Sequence, residues 1–474
     1  KVFLESTSRK EAEKQCNCTF DYIVTMQPTY PLLRVETLDA GIDYTIREGF
    51  DTVISVVNKP HLSWGRDDSG KLCPLYKERK NRQELPTQYM ETGAFVVARE
   101  ECVKEYTRIG EKVSVFEVDE RESIDIDSAG DWVLSESLMR RKKILFRVDG
   151  YVKLGLGHIY NCITLALSMV EHDVLLVTRE DAEPGIKKIK ETNLPYRTFQ
   201  KETDLKDIIQ DFQPDVWVND CLNTSKEYIE WLKTKVLRVV SIEDLGEGTK
   251  AADAVVNALY DENEPRQNVY SGYQYVCLRD EFQVEQPKKF SPTVKNIIVM
   301  FGGTDPSNLN RLVYDAILSR IERFSGIRFY FITGIGYDNE INGVVTRPKE
   351  NVFVCQNVPR VTKYLKEADL VIMGQGRSIF EAACMGVPAV VLSQNELETT
   401  HRFAQMEHGF LNLGLGNEAD PLLITNTLEW LIHTRAVREN MHRLMLQTPL
   451  KKGLERVKQI ILGEYDVEHD HRTL

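Results

Sequence analysis

His158 closes the run Gly155-Leu156-Gly157-His158. It stands between a short apolar stretch, Ile144-Leu145-Phe146, and apolar residues at helical spacing: Ile159, Cys162, Ile163, Leu165, Ala166 and Leu167. A strand that passes through a glycine turn into a helix aims the first-turn N–H groups at whatever occupies the loop, and that end of a helix suits an anion. Imidazole exchanges a proton near neutral pH without a large shift, so a histidine at this mouth can act as a general acid or base. The same spacing also fits an ordinary α/β turn whose histidine does no more than cap the helix.

Three further groups could do chemistry. Gly302-Gly303-Thr304 follows the apolar run Asn296–Met300 and could cradle a diphosphate with backbone N–H groups, or be a simple tight turn. Gly374-Gln375-Gly376-Arg377-Ser378-Ile379-Phe380-Glu381, followed by Gly386-Val387-Pro388, opens a helix. A carboxylate at Glu381 could accept both hydroxyls of a ribose while the helix start faces phosphate; the alternative is a surface or capping residue. Asp125 and Asp127, at i and i+2, share one face of an extended segment, as a hard divalent cation requires, or else belong to a solvated acidic loop.

The elements that must position these residues alternate regularly. Apolar runs at 144–146, 174–177, 216–218, 239–242 and 254–256, separated by helical patterns, predict a parallel Rossmann-like sheet with ligands at the carboxyl ends of its strands. A second such unit is expected from strands at 296–300, 329–332, 352–354, 370–373 and 389–392, with 272–293 as a connector. Two of these units in tandem with a cleft between them make the GT-B arrangement. Ahead of them the chain reads as a polar helix at 8–15, a strand at 22–26, a proline-bearing turn, a helix at 35–48, a strand at 52–57, a hairpin-like region, a strand at 92–97 and a closing helix at 128–142.

A chain of 474 residues exceeds one core and suggests about three domains; the pattern places them at 1–140, 141–290 and 291–474. The hydrophobic content of 42% and charged content of 28% are those of a globular protein. A net charge of −12 argues against nucleic-acid partners, and no apolar run approaches the ~20 residues of a membrane span. The nine cysteines are scattered and odd in number, and Cys16-Asn-Cys18 is too tight for a zinc knuckle, so reduced thiols and a cytoplasmic location are expected.

The N-terminal part resembles the CMP-sialic acid synthetases (acylneuraminate cytidylyltransferases). QPTYPLLR at 27–34 answers their Gln-Pro-Thr-Ser-Pro-Leu-Arg, RQELP at 82–86 with TGAF at 92–95 answers Arg-Gln-Asp-Leu-Pro before a Gly-Ala strand, and DID at 125–127 with Asp131 answers their Asp-Ile-Asp before an Asp and a helix. The resemblance implies that Gln27 and Arg82 lie near the sugar acid, and that Asp125 and Asp127 bind Mg²⁺ during CTP-dependent activation of a nonulosonic acid. It also implies homodimerisation. The family's Ala-Arg-Gly-Gly-Ser-Lys type phosphate loop has no counterpart in residues 1–20, so this N-terminally incomplete domain is expected to be inactive in cytidylyl transfer as it stands.

From about 143 to 460 the chain resembles the UDP-2,4-diacetamido-2,4,6-trideoxy-altropyranose hydrolases of pseudaminic acid biosynthesis. The carrying residues are RVDG…GLGH (147–158), GYQYVCLRDEF (272–282), MFGGTDP (300–306) and GQGRSIFE…GVP. The resemblance implies that His158 is the base, or orienter, for a water attacking C1 of the sugar, without a cofactor, and that Asp149 shapes the site. It further implies that Gly155, Gly157, Asn161, Gly302, Gly303, Thr304, Gly376, Arg377, Ser378, Glu381 and Asn395 face the UDP-sugar. The chain departs from the family at Asn161, where the pattern GLGHxxR has arginine, and at Arg377 and Ile379, where small or polar residues are usual. The expectation is thus a bifunctional-type α/β enzyme, a nucleotidyltransferase-like domain followed by two Rossmann-like domains. The alternatives are a GT-B glycosyltransferase with a UDP-sugar donor and a non-catalytic sugar-nucleotide-binding protein.

Overall fold

Short apolar runs become sheets where their two faces can be covered, and the computed structural model shows three principal sheets assembled this way. It describes residues 11, 13–14, 17–150, 156–260 and 266–466. Most of the helix expected at 8–15, and Gly155, lie outside these residues. The chain divides into two compact units, Lys1–Arg141 and Lys142–Leu474.

In the first unit the strands are β1 (Tyr22–Met26), β2 (Thr52–Asn58), the small hairpin β3 (Trp64–Arg66) and β4 (Leu72–Pro74), β5 (Tyr89–Arg99) and β6 (Val113–Glu117). The main sheet runs β1-β5-β2-β6, with β5 antiparallel to both neighbours and β6 parallel to β2. Strand β2 is buried over six successive residues, Thr52 to Val57, all of them β-branched except Ser55. The helix Val35–Glu48 lies close to β5: a Cβ on its Gly41 would sit 2.7 Å from the Phe95 ring. Val57, Ala94, Phe95, Val97 and Val118 form the core beneath it. The helix Ala129–Arg140 starts with a capping box, in which Ser128 and Asp131 bond each other's backbone N–H.

The second unit holds two parallel sheets. The first contains β7 (Lys143–Val148), β8 (Asp173–Arg179), β9 (Tyr196–Phe199), β10 (Val216–Asp220), β11 (Arg238–Ile242), β12 (Ala254–Asn257) and β13 (Val269–Ser271), in the order β13-β12-β11-β10-β7-β8-β9. The second contains β14 (Asn296–Met300), β15 (Arg328–Thr333), β16 (Val352–Gln356), β17 (Leu370–Met373), β18 (Ala389–Ser393) and β19 (Phe410–Leu415), in the order β16-β15-β14-β17-β18-β19. Both run outward in each direction from their first strand, which is the Rossmann order, and together they form the GT-B architecture. The final helix, Gly453–Leu462, returns to the first sheet, where Val457, Ile460 and Ile461 join the core of Ile144, Phe146 and Val218.

Four strands escape the apolar-run reading: β6, β9, β13 and β19. All four are edge strands, and their partly exposed sequences give no continuous buried run. The segment read as a connector contains the helix Asp280–Val284, anchored by buried Phe282. Among the described residues no helix is long and apolar enough to cross a membrane.

Candidate active site

In a Rossmann sheet the loops diverge where strand order reverses, opening a crevice at the carboxyl ends of the central pair. Here those pairs are β7/β10 and β14/β17. A cleft of 560 Å³ lies against both, lined by Gly157, His158 and Asn161 from one sheet's loops and by Gly302, Gly303, Thr304, Gly376, Arg377, Ser378, Glu381 and Asn395 from the other's.

His158 is the second residue of the helix Gly157–Leu167, yet its ring does not cap that helix. Its Nδ1 lies 2.5 Å from Oδ1 of Asp220, the last residue of β10 and fully buried. A carboxylate only accepts, so Nδ1 carries the proton and Nε2 keeps a lone pair able to take another. The second Asp220 oxygen accepts from the Asn161 amide at 2.8 Å and from the Cys162 thiol at 3.5 Å. Burial works to raise the Asp220 pKa, but His158, Arg377 and the Asn161 amide outweigh it and hold the carboxyl below its ordinary value. Asp149, just beyond β7, is buried with Oδ1 lacking a hydrogen-bond partner among the described residues. Burial pushes its pKa up, opposed by Arg147, Arg179 and His158.

Two of the three positions where the chain departs from the expected pattern, Asn161 and Arg377, meet each other. Arg377, arriving from the loop after β17, donates to Asn161 Oδ1 at 3.0 Å and to Glu243 Oε1 at 3.1 Å. Glu243 follows β11 in the left-handed region (φ 52), is 1% exposed, and also accepts the backbone N–H groups of Ala258 and Leu259. A non-glycine residue held there carries strain that its surroundings must compensate.

The second sheet's two glycine loops differ. After β14, Asp305 accepts the N–H groups of Leu309 and Asn310 at 2.9 and 2.8 Å, so the chain's own carboxylate closes the helix Leu309–Leu318. The helix Ser378–Met385 has no side-chain cap, and Gly376 and Ser378 line the cleft. Its start is therefore the better seat for a phosphate. Gly303 packs backbone to backbone on Gly334, where a Cβ would fall 2.3 Å from Gly303 Cα. Thr304 is buried beside them.

Glu381 does not stand open to a ribose. Both its oxygens accept from Arg279, at 2.8 and 3.0 Å, and burial raises its pKa against that pairing. Its remaining lone pairs can still take hydroxyl donors. Asn395 caps the short helix Glu396–Thr399 through Glu398 N–H. Glu398 accepts from the backbone of Gln375 and Gln394, tying the glycine loop to that helix. His401 Nδ1–H donates to the Gln375 carbonyl at 2.6 Å while Nε2 accepts from the Tyr260 hydroxyl at 3.3 Å. Burial lowers the His401 pKa to about 4 and keeps the ring neutral.

In the first unit Gln27 and Tyr30 converge over Gly93 (φ 75), where a Cβ would lie 3.3 Å from the Gln27 amide oxygen and 3.2 Å from the Tyr30 hydroxyl. Ile126 N–H bonds the Thr29 carbonyl, bringing the Asp125–Asp127 segment alongside. Burial, Asp125 and Asp127 push the Tyr30 phenol up to about 12. Asp125 is half-buried with Oδ1 lacking a hydrogen-bond partner, whereas Asp127 is exposed. Arg82 is exposed on the turn Arg82–Glu84, and its guanidinium makes no hydrogen bond or ion pair with a described residue. Among the described residues no three metal-ligating side chains gather. A partnerless buried carboxylate oxygen beside a second carboxylate nevertheless suits Mg²⁺, which takes most of its ligands from water and phosphate.

Sequence reasoning missed Asp220, Glu243, Arg279, Glu398 and His401 as site residues. Asp220 and Glu243 could have been found from their place at the carboxyl ends of β10 and β11, and Arg279 from its place in GYQYVCLRDEF; Glu398 and His401 carry no local signal.

No protein-family model matches the chain. Over 275 residues it is 29% identical to an uncharacterised protein of Methanocaldococcus jannaschii, covering 54% of this chain and 56% of that one, so the chain spans just over half of that relative's length. It is 25% identical over 337 residues to the spore coat polysaccharide biosynthesis protein SpsG of Bacillus subtilis, covering 68% of this chain and 98% of SpsG. It is 28% identical over 151 residues to N-acylneuraminate cytidylyltransferase A of Danio rerio, covering 30% of this chain and 35% of that enzyme. Among solved structures, MurG of Acinetobacter baumannii superposes with a TM-score of 0.48 at 14% identity, covering 68% of this chain and 99% of MurG.

Proposed function

We propose that the Lys142–Leu474 unit hydrolyses a UDP-linked diacetamido-trideoxyhexose to free sugar and UDP, within the biosynthesis of sialic-acid-like nonulosonic acids. The observation that carries this reading is the His158–Asp220 pair at the mouth of a cleft lined by both Rossmann sheets. Water attacks C1 of the sugar as His158 Nε2 takes its proton; the bond between C1 and the phosphate oxygen breaks, and UDP departs with the electron pair. Asp220 holds the imidazole in the required tautomer and stabilises the imidazolium that forms. The start of the helix Ser378–Met385 would receive the diphosphate, and Glu381 the ribose. No cofactor enters this step.

Likeness to a polysaccharide-biosynthesis protein over 68% of the chain and to a cytidylyltransferase over 30% of it supports placing the protein in sialic-acid-like sugar metabolism. In the N-terminal half Asp125 and Asp127 would hold Mg²⁺, which when bound neutralises triphosphate charge. Gln27 and Arg82 would face the sugar acid. A GT-B glycosyltransferase is the second reading, because the same histidine–carboxylate pair can deprotonate a sugar hydroxyl as readily as water.

The test is UDP release from a panel of UDP-diacetamido-trideoxyhexoses, without acceptor or added metal, for wild type and His158→Ala. Release by wild type and its loss in the variant is the expected result. Release only when an acceptor is supplied moves the assignment to a transferase. UDP binding with no turnover under either condition leaves a sugar-nucleotide-binding protein.

A further inference from the structure

The Arg377 guanidinium belongs to the second sheet's loop, but both of its recorded hydrogen-bond partners belong to the first sheet's half of the unit. It reaches them across the cleft over the start of the His158 helix, where a Cβ on Gly157 would lie 3.9 Å from Arg377 Cδ. Each link of the chain beyond it is directional. Arg377 can only donate, so it fixes the Asn161 amide with Oδ1 toward itself and Nδ2 toward Asp220 Oδ2. That bond leaves Asp220 Oδ1 facing His158 Nδ1. Glu243, 1% exposed and gripped by two backbone N–H groups, anchors the other end of the guanidinium. Asn161 is 3% exposed and Asp220 0%, so neither can replace a lost partner with bulk water.

We propose that Arg377 is a positioning residue that acts across the cleft: through Asn161 and Asp220 it sets the tautomer and direction of His158, so that the histidine is oriented only when the two sheets' loops are in register. Nothing in this relay requires the guanidinium to touch the substrate. The inference rests on the His158 site proposed above but not on the identity of the reaction, and its test does not depend on turnover.

The experiment records the histidine side-chain ¹⁵N spectrum of the full chain, assigning His158 by its loss in His158→Ala. It compares wild type, Asn161→Ala and the double variant Arg377→Met with Glu243→Gln, which removes the ion pair without stranding a buried charge. Asp220→Asn, whose amide can present an N–H to Nδ1, serves as the reference for the opposite Nε2–H tautomer, and UDP affinity is measured by calorimetry on the same samples. The expected result is a single Nδ1–H tautomer in wild type and a mixture of both tautomers in Asn161→Ala and in the double variant. Asn161→Ala leaves the Arg377–Glu243 pair intact, so it decides the question if the double variant does not fold. Persistence of one tautomer in Asn161→Ala overturns the relay. A tenfold or greater loss of UDP affinity in the double variant with the tautomer unchanged also overturns it, making Arg377 a nucleotide contact. Absence of UDP binding by wild type counts against the UDP-sugar reading alone, and the tautomer comparison still decides the relay.

Discussion

At the scale of single residues, the site is organised by what a buried carboxylate does to an imidazole. Asp220 accepts from Nδ1 of His158 and is completely enclosed. Asparagine in its place can present an N–H to the ring and select the wrong tautomer. Asp220→Asn should therefore lower the rate of UDP release by roughly 10²- to 10⁴-fold with little change in UDP affinity. Steady-state kinetics with calorimetry separates the two. His401 gives a pH prediction. Its native pKa is lowered from 6.5 to about 4 by burial, so above 6.5 both folded and unfolded forms are neutral and its contribution is complete. As pH falls from 6.5 toward 4, the unfolded chain takes up a proton that the native ring refuses, and stability is lost, by about 3 kcal/mol at the limit. Denaturant midpoints of wild type and His401→Gln near neutral pH and near pH 4.5 should show the variant losing distinctly less; equal losses would show that this ring is not the group that titrates.

At the scale of elements, the two loops of the second sheet are built on opposite principles. The loop after β14 is closed by Asp305, whose carboxylate satisfies the first N–H groups of the helix Leu309–Leu318. Asp305→Ala should cost about 1–2 kcal/mol of stability, read from the denaturant midpoint. The glycines of this loop and of the loop after β15 are unequal. Gly302 has φ 78 with no neighbour near a Cβ, so Gly302→Ala should cost only about 1–2 kcal/mol of backbone strain. Gly334 lies against the Gly303 backbone, so Gly334→Ala should cost above about 3 kcal/mol. A smaller loss at Gly334 than at Gly302 would contradict this packing. The loop after β17 instead leaves its helix uncapped and is stiffened from the side by Glu398 and His401. That stiffening keeps the glycine loop in shape before any ligand arrives.

At the scale of the molecule, the chain holds two compact units with separate cores, one around Phe95 and the other extending through both parallel sheets. Separate cores unfold separately unless an extensive interface couples them. Differential scanning calorimetry should resolve two transitions, and UDP should raise only the one belonging to Lys142–Leu474. At a hundredfold excess of UDP over its Kd, the stabilisation should be about 2.7 kcal/mol. One transition, or an equal shift of both, would contradict the division. The returning helix Gly453–Leu462 ties the end of the chain to the first parallel sheet, since Arg238 bonds the Ile460 carbonyl and Lys142 bonds that of Leu462.

What the amino-acid order determined by itself was the alternation of elements, because an enclosed parallel strand must be apolar on both faces. Runs such as Asn296–Met300 and Leu370–Met373 announce themselves at their full observed length. The half-exposed edge strands β9, β13 and β19 do not, since solvent accepts almost any side chain. The glycine turn beside Ser378 is equally local and equally legible. Only the tertiary structure decided which groups meet. Asp220 lies 62 positions from His158, Arg377 lies 216 from Asn161, and Arg279 lies 102 from Glu381. Those pairings arise because strand order reverses between β7 and β10 and again between β14 and β17, and the chain must fold both sheets before the ends of those strands face one cleft.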